Sequence, residues 1–76
     1  MEFEKVQKII AQALGVDISE VTPDKTFEND LGADSLDRIE IIMLLEDAMG
    51  LIIPDEAAEN IVTVGDAFEA LKAVKP

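Results

Sequence analysis

The sequence predicts an all-α fold, a small four-helix bundle of three longer helices and one short helix, with a long loop between the first two helices. Apolar residues recur at spacings of three and four in separate segments, the period of one helix face. Almost nothing alternates polar and apolar as a half-buried strand would. Glycine, proline and capping residues stand where the periodic segments begin and end.

The first helix rests on Phe3, Val6, Ile10, Ala13 and Leu14, and Gly15 supplies a left-handed stop. From Val16 to Asp34 the chain carries punctuation without period: Thr22-Pro23-Asp24, then Asn29-Asp30-Leu31-Gly32. A connection this long is functional or packed by its own side chains, here Val16, Ile18, Val21, Phe27 and Leu31. The second helix runs through Leu36, Ile39, Ile41, Ile42, Met43, Leu44 and Leu45 to Ala48, Met49 and the stop at Gly50. Asp34 or Ser35 can cap its start, and Asp37 adds negative charge where the helix dipole favours it. Being apolar over more than half its circumference, it is expected at the centre of the bundle with neighbours on two sides.

Pro54 presets a short third helix over Asp55, Glu56, Ala57 and Ala58 that ends near Asn60 or Ile61. Thr63 and Asp66 read as a capping box with Asp in place of the usual Glu. They open a last helix with Val64, Ala67, Phe68 and Leu71 inward. Lys72 and Lys75 sit near its C-terminus, where the dipole favours cations, and Pro76 ends the chain. Residues 1–76 are expected to form a single domain, marginally stable, with a core worth only about 3–5 kcal/mol.

Composition removes whole classes of function. With no Cys and no His among 76 residues, a Ser–His or Cys–His nucleophile is impossible, as is a thiolate or imidazole metal site. Disulfides are excluded as well. Seventeen acids against six bases give a net charge of −11, which repels nucleic acid and anionic lipid. No apolar run approaches a membrane span, and Met1-Glu2-Phe3-Glu4-Lys5 is unlike a signal or transit peptide. A cytoplasmic, monomeric protein with basic partners and no membrane insertion is expected.

The imbalance is localised. Residues 26–69 hold twelve acids and one base, Arg38. Acids at helical spacing repel one another and weaken the helix, so a docking face for basic partners is favoured over a merely solvated one. No calcium loop fits: with Gly32 at its sixth position, Phe27, Leu31 and Arg38 fall where oxygen ligands are needed. No metal site is expected.

Ser35 stands in Asp30-Leu31-Gly32-Ala33-Asp34-Ser35-Leu36-Asp37. Gly32 lets the chain turn, Leu31 and Leu36 can anchor either side of the turn, and Ser35 is left at a helix N-terminus. A phosphate there would meet free N–H groups and the positive dipole end, opposed by the flanking Asp34 and Asp37. On local pattern alone, such a serine is only a cap.

That segment, with Ile39-Glu40 and Leu44-Leu45-Glu46, resembles the acyl carrier proteins of bacterial type II fatty acid synthesis. Ile53-Pro54-Asp55-Glu56 and Thr63-Val64-Gly65-Asp66-Ala67 resemble the same family's third- and fourth-helix signatures. The resemblance implies a non-catalytic carrier. Ser35 would receive 4′-phosphopantetheine from coenzyme A through a phosphodiester bond made by a separate phosphopantetheinyl transferase. The prosthetic thiol would then carry growing acyl chains to fatty acid synthesis enzymes. It further implies a recognition face of Asp34, Leu36, Asp37, Glu40, Met43, Glu46, Asp47, Ile53 and Asp55 for basic docking patches. Leu36, Met43 and Ile53 would be its apolar contacts. The acyl chain would fold back between the helices, lined by Phe27, Leu45, Ala58, Ile61, Ala67 and Leu71. The inventory fits independently, since a chain without Cys offers no competing thiol for thioester exchange.

The sequence departs from the family at Arg38, which puts a cation inside the acidic face, and at Leu51, Ile52 and Ala57. A dedicated polyketide, peptidyl or D-alanyl carrier is the alternative. An acidic adaptor with no cofactor is the rival from another class, and it predicts that Ser35→Ala is harmless.

Overall fold

Four α-helices follow one another, α1 (Phe3–Leu14), α2 (Ser35–Met49), α3 (Asp55–Glu59) and α4 (Val64–Ala73), with one 3-10 turn at Ile18–Glu20 after α1. They come from a computed structural model that describes residues 2–74; the expectations for Lys75 and Pro76 lie outside the described residues. Among the described residues the only β pairing is an isolated antiparallel bridge between Thr26 and Thr63.

The helix ends are those the punctuation predicts. Gly15 and Gly50 close α1 and α2 in the left-handed conformation, their N–H groups donating to the carbonyls of Ala11 and Glu46. Thr63 and Asp66 form the reciprocal capping box of α4. Along α1 the buried residues are Val6, Ile10 and Ala11. Ala13 is exposed, against expectation: it lies on the Val6 side of α1 but in the last turn, just before the chain leaves the helix at Gly15.

The long loop is bound down at both ends of the molecule. Gln7 Nε2 donates to the Val21 carbonyl at 2.7 Å. Towards α4, Phe27 N–H donates to Val62 O at 3.0 Å, Val64 N–H to Lys25 O at 2.9 Å and Gly65 N–H to Pro23 O at 2.9 Å. A Cβ on Gly65 would meet that Pro23 oxygen at 2.9 Å, so only glycine permits the approach. Val21 and Phe27 are fully buried, while Ile18 faces outward, opening the 3-10 turn that Asp17 caps.

Phe27, Ile10, Ile41, Leu45, Ile61, Leu71, Val6, Val21 and Val64 form the innermost core, and no polar or charged residue is buried among the described residues. Here α2 departs from expectation. Only Ile41, Ile42 and Leu45 are buried along it, and Leu36, Ile39, Met43 and Leu44 are exposed. Its inner face packs on α1, and α3 packs on α4. With five residues, α3 is too short to cover the second apolar side of a helix of fifteen.

Candidate functional site

The approach to α2 is set by a few short bonds. Asp30 Oδ2 accepts from Thr26 N–H at 2.8 Å and from its hydroxyl at 3.2 Å, which holds the Asp30 carboxyl below the usual carboxylate range. Gly32 then turns the chain at φ +72°, a left-handed conformation that other residues adopt only with strain. Ala33 enters the core and its N–H donates to Phe27 O at 2.7 Å. The anchors of the turn are therefore Leu31 and Ala33. Leu36, expected to be one, is 63% exposed, because the first turn of α2 points it away from the core.

Asp34 is the cap. Its Oδ1 accepts from Asp37 N–H at 2.8 Å, and Asp37 Oδ2 accepts from Asp34 N–H at 3.3 Å. Ser35 is left as the first residue of the helix, exposed, with its hydroxyl in no hydrogen bond among the described residues. The first bond along the helix is Arg38 N–H to Asp34 O at 3.0 Å. The N–H groups of Ser35 and Leu36 lie ahead of it, among the donors that a helix N-terminus cannot satisfy internally. A nucleophilic oxygen thus sits beside free donors at the positive end of the dipole, a setting that fits a phosphodiester on Ser35.

Beyond Ser35 the expected recognition residues divide. Leu36, Glu40, Met43 and Asp47 are exposed and follow one another at spacings of four, three and four down one stripe, and Asp55 is exposed at the start of α3. Glu46 instead latches the chain before α3, its Oε2 accepting from Ile53 N–H at 2.7 Å. Ile53 itself is 3% exposed, so its side chain is held in the core and does not present a surface contact as expected. Arg38 also reads differently. Its Nη1 donates to Ile61 O at 3.0 Å, which folds the cation inward, away from the acidic stripe. Nothing in the sequence marks that direction, since the partner is a backbone carbonyl twenty-three residues away.

Of the expected acyl-chain lining, Phe27, Leu45, Ile61, Ala67 and Leu71 lie in the closed core. Ala58 is half-buried and lines two crevices between α2 and α3, of about 300 and 270 Å³, together with Ile39, Ile42 and Asp55. Among the described residues no group of carboxylates could hold a metal ion, and no helix is long and apolar enough to cross a membrane.

Comparison with known proteins agrees with this geometry. Residues 4–71 match the protein family described as a phosphopantetheine attachment site. The fold is similar to the solved structure of a putative acyl carrier protein from Mycobacterium tuberculosis, with a TM-score of 0.86 and 32% sequence identity over 95% of this chain and 97% of that one.

Proposed function

The chain belongs to the phosphopantetheine attachment family, whose members are non-catalytic carriers, and from that premise we propose that Ser35 bears the arm and that the protein delivers acyl chains to the enzymes of fatty acid synthesis. The observation that carries the reading is the free Ser35 hydroxyl: Asp34 and Asp37 form the cap between them, and the serine between them is not needed for it.

Joining the arm forms a bond from Ser35 Oγ to the β-phosphorus of coenzyme A, and adenosine 3′,5′-bisphosphate leaves. The proton of the hydroxyl passes to a base of the transferase in this reading. This chain has no His to act as a base near neutral pH, and the carboxylates beside Ser35 serve the helix cap. When bound, the group supplies the thiol that holds cargo as a thioester. The protein's own part is to keep Ser35 outward, to offer the N–H groups of Ser35 and Leu36 to the phosphate, and to remain inert toward the cargo.

Asp34, Leu36, Asp37, Glu40, Met43, Asp47 and Asp55 make the docking face of this reading, apolar contacts within an acidic rim that speeds encounter with basic patches on the transferase and synthesis enzymes. Such contacts are weak and salt-sensitive, as a shuttle requires. Residues 1–76 act as one carrier domain, a monomer working in the cytoplasm, and the crevices beside Ala58 shelter the acyl chain in this reading.

Incubation with coenzyme A and a broad-specificity phosphopantetheinyl transferase, followed by intact mass, tests the assignment. A single addition is expected on the wild type and none on Ser35→Ala, which keeps the wild-type melting temperature because its hydroxyl holds nothing. A wild type that gains no mass refutes the reading.

A further inference from the structure

Arg38 stands one helical turn after Ser35, and with Ile39 and Ile42 it continues the side of α2 on which Ser35 begins. Its side chain crosses from α2 to the segment after α3, where Nη1 donates to Ile61 O at 3.0 Å. Its Nε is buried and has no acceptor among the described residues. Two cavities meet at this side chain. One is the open crevice of about 300 Å³ between α2 and α3, lined by Ile39, Ile42, Asp55, Ala58 and Glu59 as well as Arg38. The other is a smaller hollow of about 130 Å³ over Phe27, lined by Thr26, Glu28, Asn29 and Val62 and again by Arg38. Arg38 is the one residue the two share, and its reach to Ile61, next to Val62, makes it the wall between them.

We propose that Arg38 closes the inner end of the crevice in which this carrier shelters its acyl group, keeping cargo out of the hollow over Phe27. The proposal rests on the reading of Ser35 as the attachment point. Cargo in the outer crevice lies against apolar wall at Ile39, Ile42 and Ala58, and the guanidinium stands between it and the hollow. An alkyl chain gives that charge no partner, and passing it requires breaking the bond to Ile61 O. The wall is nonetheless not a core element: the orphaned Nε offsets part of what the Ile61 bond supplies. An uncharged side chain at this position joins the two cavities and opens the hollow over Phe27 to longer chains.

The test loads the whole protein with butyryl, octanoyl and dodecanoyl phosphopantetheine, one addition each by intact mass, and follows backbone amide resonances. In the wild type the amides of Ile39, Ile42 and Ala58 shift, while those of Thr26, Phe27 and Val62 stay in place at every chain length. In Arg38→Ala the dodecanoyl form also shifts Thr26, Phe27 and Val62. Arg38→Met, which keeps the stem and loses the guanidinium, behaves as Arg38→Ala and guards against local collapse. Dodecanoyl cargo that moves Phe27 and Val62 in the wild type overturns the proposal, as do both variants leaving them unmoved. A wild type that takes no arm at all overturns the reading of Ser35 and this inference together; a loaded arm with one chain-length pattern in all three proteins overturns the role of Arg38 alone.

Discussion

Asp34→Ala separates the two jobs that an aspartate beside Ser35 performs, capping and charge. The substitution removes the 2.8 Å bond from Asp37 N–H to Asp34 Oδ1 and leaves that N–H without its partner. Loss of an N-cap costs about 1 kcal/mol, with a range of about 0.5–2. For a chain of 76 residues the unfolding entropy scale converts each kcal/mol into a fall of ~4–8 °C in melting temperature. Asp34→Asn keeps an acceptor oxygen at the same place while deleting the charge, so it retains most of the cap. The expected ranking by far-UV circular dichroism is therefore wild type close to Asp34→Asn, with Asp34→Ala lower by that margin. The same Ala variant takes up phosphopantetheine more slowly, because Ser35 is the nearest hydroxyl able to replace the lost cap and doing so draws it into an internal bond. If Asn and Ala lower the melting temperature equally, charge and not capping holds the start of α2, and the explanation for the free serine is wrong.

Asp66 Oδ2 accepts from Thr63 N–H at 3.0 Å and Val62 N–H at 3.1 Å, and the Thr63 backbone bond is the main cause of its lowered pKa. A carboxyl depressed in the folded state contributes stability above its unfolded value, and that contribution is lost as pH falls through the folded value. Melting temperature should hold from neutrality to about pH 4 on this account and drop below it. Asp66→Asn should flatten that acid-side drop, and an unchanged slope in melts below about pH 4 would count against the assignment. Gly65→Ala puts a Cβ at 2.9 Å from the Pro23 backbone oxygen, which cannot move away without releasing the Gly65 N–H bond to it. A loss of about 1–3 kcal/mol in urea unfolding is expected, and a neutral substitution would mean the loop gives way freely. Glu46→Ala leaves the part-buried Ile53 N–H unpaired and should cost about 1–3 kcal/mol, whereas Glu40→Lys should slow salt-dependent association with the transferase at constant melting temperature. Equal effects of the two on stability would refute the division of the acidic face.

The helices were legible because their determinants are local. Gly15, Gly50 and the Thr63–Asp66 pair act within a turn of where they stand, and a period of three and four needs only its own segment to be read. The placement of Ser35 was legible only as a choice between it and Asp34 for the cap, and the choice depends on which backbone N–H each oxygen reaches. What escaped was set by contacts distant in sequence. The loop from Val16 to Asp34 is ordered by carbonyls of Pro23 and Lys25 meeting the start of α4, and no spacing within the loop encodes that. Arg38 and Glu46 read as surface from their charge, and Ile53 from the family resemblance. Glu46 and Arg38 turn instead to backbone groups that the loop segments around Ile53 and Ile61 bring within reach. The half-apolar circumference of α2 pointed to a helix covered twice, yet a five-residue α3 cannot cover it, and composition alone cannot distinguish an interior face from one kept for partners.

The acids of this chain are therefore not one undivided surface. Asp34, Asp37 and Glu46 each accept a backbone N–H and are part of the fold, while Glu40, Asp47 and Asp55 accept none among the described residues. Asp34 and Asp37 fix where Ser35 emerges and Glu46 holds the chain before α3; the second set leaves charge free on α2 and at the start of α3. Because the capping carboxylates are satisfied by the backbone, partners can neutralise the outer acids without loosening the start of the helix. A serine capping its own helix would lose that independence, since modifying its oxygen would remove the cap. Placing the cap one residue earlier lets the hydroxyl be modified while the helix that presents it stays intact.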